Sequence, residues 1–197
     1  MVRRLAALAL GTLVLAGCST MGAGQAATSD EFQIPQSDVD AEVRQVLTAL
    51  GQPPGEPPVG LALATTQRMV QDALFRAHAA ELGVGVTATQ VDEALAELAE
   101  QNGGPEALEA AALQSGIPAD AIEDFVRTNL LFTAIAEVLG PDDAAAREAA
   151  ARQSLSAYSD RIDLQVAPRY GVWDDLNLQI VPGSPVASPA ATQPDGS

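Results

Sequence analysis

Cys18 is the only thiol and His78 the only imidazole in this 197-residue chain, and lysine is absent, so the usual pairings of a nucleophile with a base cannot be assembled. Metal chemistry is equally poorly supplied. His78 has only scattered carboxylates near it in sequence and no second soft ligand at metal-binding spacing. Carboxylates are abundant, and adjacent pairs such as Glu123-Asp124, Asp142-Asp143 and Asp174-Asp175 have the residue type that acid–base chemistry uses. Each pair falls at a helix start or in a loop, where capping and solvation already account for it. No glycine-rich phosphate loop is present. The expectation is a chain with no catalytic residues, no metal, no cofactor and no small-molecule substrate, in which Trp173 serves as a buried staple rather than a ligand platform.

The chemistry that does fit the sequence lies at Cys18. Arg3 and Arg4 precede an uncharged run from Leu5 to Gly17, and small residues lead into Cys18, which reads as an export signal over residues 1–17. A helix over that run would be roughly 20 Å long at about 1.5 Å per residue, too short for a bilayer core of about 30 Å. The segment Leu15-Ala16-Gly17-Cys18 resembles the lipobox of bacterial lipoproteins. That resemblance implies lipidation at Cys18, acylation such as palmitate, and cleavage before it. A plain secretory signal cut between Met21 and Ala27 is the competing reading. Two or more acyl chains, at about 0.8 kcal/mol per buried methylene, make a lasting anchor. One cysteine allows no intrachain disulfide.

The formal charge is −16 and becomes −18 once Arg3 and Arg4 are removed, so nucleic acid is excluded as a partner for want of a basic footprint. The same argument disfavours anionic headgroups, leaving the lipid anchor as the sole expected membrane contact. All ten basic residues are arginine, a usage that with the heavy Ala, Gly and Pro content suggests a high-GC bacterial genome, while the lipobox resemblance implies a lipid-anchored place on the extracytoplasmic side of the cell membrane. No Arg or Lys occurs from Ala77 to Val126, where ten Asp and Glu fall. That acidic stretch reads either as a solvated face or as a surface drawing cationic clients.

Periodicity sets the elements that must hold these groups. Residues 18–31 are mostly Gly, Ala, Ser and Thr without apolar pattern and predict a flexible tether. Ser37 with Asp40 resembles a capping box ahead of Val39, Val43, Val46, Leu47 and Leu50 at helical spacing, and prolines 53 to 58 forbid continuation of that helix past Gly51. A second helix is expected from Leu61 to Leu82, with Leu63, Val70, Leu74 and Ala77 inward. A third follows Thr87 or Thr89 as alternative N-caps, a fourth begins at Pro105, a fifth at Pro118 or soon after, and a sixth after Pro141. Ile162, Leu164 and Val166 alternate as a strand, residues 168–174 look like a turn, and Leu178 to Val181 pair back. Residues 182–197 read as a disordered tail. The fold class expected is mainly α, a compact bundle of about six helices with a short C-terminal strand pair.

The fifth helix is apolar over more than one face. Leu131, Phe132 and Ile135 are its candidate peptide-binding residues, unless all three are simply core.

An extended entry into Ile34-Pro35-Gln36-Ser37-Asp38-Val39-Asp40, helices in this order, and a return through Val166-Ala167-Pro168-Arg169-Tyr170-Gly171-Val172-Trp173 together resemble the N-terminal domain of SurA and PrsA type foldases, over residues 32–181. In that family a parvulin prolyl isomerase domain commonly sits between the fifth and sixth helices. Here Leu139-Gly140-Pro141 joins them directly. The resemblance therefore implies a chaperone-like module without isomerase catalysis, binding unfolded or nascent secreted polypeptides. A scaffold lipoprotein that docks one dedicated envelope partner is the alternative.

Overall fold

The computed structural model describes residues 24–53, 55, 57–58, 60–140 and 143–183, so Cys18 and the tail from residue 184 lie outside the described residues. The architecture is mainly α, as expected. Strands β1 (Gln25–Thr28) and β2 (Gln33–Pro35) lead into helices α1 (Gln36–Ala49), α2 (Leu61–Leu82), α3 (Ala88–Asn102) and α4 (Pro105–Gln114). A single 3-10 turn (Ala119–Ala121) opens α5 (Ile122–Leu139), and α6 (Ala144–Arg161) is followed by β3 (Gln165–Val166), β4 (Val172–Asp174) and β5 (Gln179–Val181). Helices α1, α2, α5 and α6 enclose the core, where Val39, Val70, Leu74, Ile135 and Leu155 are fully shielded from solvent. The α3–α4 hairpin is held more thinly. Val91 is the buried residue of α3, and α4 buries none.

Thr87 caps α3 reciprocally with Gln90, each side chain bonding the other's backbone N–H. At α1 the anticipated capping box does not form. The helix begins at Gln36 directly after extended Pro35, and Ser37 instead donates to Asp38 at 3.1 Å. The Gln36 N–H is satisfied by the Gly24 carbonyl at 2.8 Å, so the neighbouring strand takes over the work of a cap. Along α2, Leu63 is 36% exposed while Thr65 and Thr66 are buried. Thr66 can sit there because its hydroxyl donates to the Ala62 carbonyl at 2.7 Å, an option that hydropathy does not register.

The tether expected over residues 18–31 ends earlier. Gln25–Thr28 forms the middle strand of a three-stranded antiparallel sheet in the order β2-β1-β3, with Ala26 and Ala27 wholly buried. Alanine lacks the bulk that marks a strand in sequence, yet here small size is what lets the backbone lie close against the helices. The terminal strands also pair differently from expectation. β3 joins β1, while Val172–Asp174, read as a turn, forms a hairpin with β5 in which Trp173 opposes Ile180. The turn is shifted to residues 175–178, where Asp174 accepts from the backbone of Leu176 and Asn177, and Leu178 adopts a left-handed φ of 53°. Trp173 is buried at 6% exposure.

Candidate functional site

Of the three residues proposed for a groove, the structure places two in the core. Leu131 is 5% exposed and Ile135 is 0% exposed, and both join the main apolar cluster. Helical rotation explains the split, since successive residues lie about 100° apart, so Leu131 and Phe132 cannot share a face. Phe132 points elsewhere. Its ring lies 5.8 Å from that of Phe75 at 31°, and the Arg152 guanidinium sits 5.8 Å from its centroid.

Around that aromatic pair is a cleft of about 420 Å³ between α2, α5, α6 and the β4–β5 turn. Two helices line it with the same spacing. From α2 come Arg68, Gln71, Asp72 and Phe75, and from α5 come Phe125, Thr128, Asn129 and Phe132, each set at i, i+3, i+4 and i+7. Three of the chain's four phenylalanines therefore gather on one cleft. Phe125 is 39% exposed, and Leu176 at the adjoining hairpin tip is 82% exposed. The paired stripe is the signal that sequence reading passed over: its members are polar at three positions in four on α2 and two in four on α5, so no apolar run announces it.

Polar groups fix the two helices around the cleft. Thr128 donates to Asp72 at 2.6 Å, and Arg76 bridges Asp72 at 2.8 Å and Asp124 at 2.6 Å. Burial works against the Arg76 charge, but its hydrogen bonds to Asp72 and Asp124 outweigh this and raise its pKa. Arg68, on the cleft wall, pairs with Glu42 of α1. Burial lowers its pKa, and Asp72, Asp124 and Asp120 oppose that lowering. Behind Arg68 lies a second cleft of about 340 Å³ whose walls carry Asp38, Glu42, Asp72, Asp120 and Asp124. Those carboxylates serve structure: besides the pairs above, Asp120 accepts from Gln45 at 2.9 Å.

The described members of the pairs singled out in sequence are likewise engaged, Asp142 lying outside the described residues. Glu123 and Asp124 both hold Arg127, Asp143 caps α6 by accepting from Ala146 N–H at 2.9 Å, Asp174 closes the hairpin turn, and Asp175 accepts from Ser159. No group of three or more His, Cys, Asp or Glu is placed to hold a metal ion among the described residues. No helix among them is long and apolar enough to cross a membrane.

His78 lies away from the cleft, buried between α2 and α6. Its Nε2 is 2.8 Å from the Ser154 hydroxyl and its ring stacks on Tyr158 at 4.6 Å, while Nδ1 has no hydrogen-bond partner among the described residues. Burial lowers its pKa, partly offset by Glu81, with Arg161 adding to the lowering.

Comparison with family models, curated proteins and solved structures finds no match to this chain. The site must be read from its own geometry. What it offers is an open, aromatic-floored groove whose wall amides Gln71, Asn129 and Asn177 each donate one hydrogen bond within the protein, to the Leu178 carbonyl, the Phe125 carbonyl and Asp174.

Proposed function

We propose that this protein is a membrane-anchored, extracytoplasmic chaperone-like module that binds unfolded or nascent secreted polypeptides in the cleft between α2 and α5, without isomerase catalysis. One observation carries the reading: Phe75, Phe125 and Phe132 line a single open cleft, Phe75 and Phe132 resting half-buried against the core and Phe125 standing 39% exposed at its edge. An extended client would lay an aromatic or aliphatic side chain against these rings and present backbone groups to the surrounding amides. Lipidation at Cys18 would hold the cleft where secreted chains emerge. The likeness to SurA and PrsA type N-terminal domains supports the same reading, and the direct join of α5 to α6 leaves no place for the isomerase insert.

The test is aggregation of two unrelated unfolded proteins with and without the protein, beside a prolyl isomerase assay. Suppression of both, absent isomerase activity and reduced several-fold by Phe125→Ser, is the expected result. Capture of one partner in stoichiometric amount with no effect on aggregation would overturn it in favour of a dedicated scaffold.

A further inference from the structure

The α3–α4 hairpin carries an apolar groove that the aromatic cleft does not account for. Leu95 of α3, Leu108 of α4 and Ile122 at the start of α5 floor a space of about 550 Å³, and Glu100, Glu109 and Glu123 stand on its rim. Neither Arg nor Lys lines it, and none occurs from Ala77 to Val126. Glu123 is engaged by Arg127, whereas Glu100 and Glu109 form no ion pair among the described residues. The two helices that supply most of the groove spend little on the core, since α3 buries only Val91 and α4 buries no residue at all, whereas Ile122 of α5 is itself buried at its base.

Apolar floor and acidic rim together select an occupant. A neutral apolar segment would cover the floor but strip water from two carboxylates without replacing it, and an acidic segment would be repelled. A segment with aliphatic side chains flanked by Arg or Lys satisfies both halves, its stems lying on the leucines while its charges meet the glutamates. We infer that the α3–α4 groove is a docking subsite for apolar polypeptide segments flanked by basic residues. This rests on the reading of the protein as a polypeptide binder and specifies which part of a client it prefers.

The experiment is fluorescence anisotropy with the full chain and two dye-labelled peptides that share one Leu- and Ala-rich centre, one flanked by Arg and the other by Glu. The Arg-flanked peptide should bind about tenfold more tightly at low salt, and the preference should shrink as ionic strength rises past about 0.15 M. Glu100→Gln with Glu109→Gln should erase most of the preference while leaving the melting temperature unchanged, both positions being exposed. Leu108→Ser should weaken both peptides. Equal affinity for the two peptides, or a preference untouched by the double substitution, overturns the inference. If aggregation suppression still depends on Phe125 in that case, the aromatic cleft stands without the subsite; if the protein binds neither peptide and suppresses nothing, both readings fall.

Discussion

Thr128 of α5 reaches across the seam to Asp72 of α2, its hydroxyl oxygen 2.6 Å from the carboxylate and 2.8 Å from the Asp124 carbonyl one turn back. One proton serves only one acceptor at a time, and the charged one makes the stronger bond. The contact ties the two stripes that line the aromatic cleft. Thr128→Val keeps the shape and removes the donor, so stability should fall by about 1 kcal/mol, or roughly 2–4 °C in melting temperature. An unchanged melting temperature would show that Arg76 alone holds the seam.

Leu131 and Phe125 should behave in opposite ways. Truncating Leu131 to Ala opens the core and should cost about 2–5 kcal/mol. Phe125→Ser, at a ring already 39% exposed, should cost no more than about 1 kcal/mol yet weaken client binding. Denaturant titrations run beside the binding assay separate the two, and a large stability loss at Phe125 would mark it as core.

At Gly171 the chain has no alternative residue. Its φ is +127°, and a Cβ there would come within 2.1 Å of the Val181 carbonyl oxygen across the β4–β5 hairpin. Gly171→Ala should therefore destabilise by about 2 kcal/mol or more and loosen the hairpin. Trp173, the chain's one tryptophan, reports the change as a red-shifted emission. Unaltered emission and stability would show that the strand adjusts.

His78 predicts a pH dependence of definite sign. Its folded pKa lies below the unfolded value of about 6.5, so as pH falls past that value the unfolded chain takes up the proton first and the native state loses stability. The slope from this residue is no more than about 1.4 kcal/mol per pH unit. His78→Gln should flatten the pH profile above the carboxylate range; identical slopes in both proteins would assign the effect elsewhere.

Much of this fold is legible in the sequence because its punctuation is strong. Gly83, Gly103 and Pro105 stop and start helices where backbone sterics require it, and Thr87 with Gln90 announces α3. β1 escaped notice because Ala26 and Ala27 bury through smallness, and pairing with β2 and β3 is a tertiary event that local pattern does not carry. The cleft escaped for a related reason. Apolar richness on α5 pointed to Leu131, Phe132 and Ile135, of which the core absorbs the first and last, while the cleft face mixes Phe132 and Phe125 with Thr128 and Asn129. Only the matching spacing on α2, at Arg68, Gln71, Asp72 and Phe75, distinguishes that face, and which two helices face one another is decided by packing.

The burial of β1 changes the mechanics of the proposed anchor. With Cys18 lipidated, the chain from Cys18 to Gly24 spans six residue steps, which even at full stretch reach only about 20 Å. The protein is then less a buoy on a line than a bead resting on the bilayer, and its clefts sweep a thin slab about one domain thick. Under the proposed anchoring and function, encounters with emerging chains would become a search in two dimensions, in which rate would scale with the number of molecules per unit of membrane area rather than with concentration in the surrounding fluid.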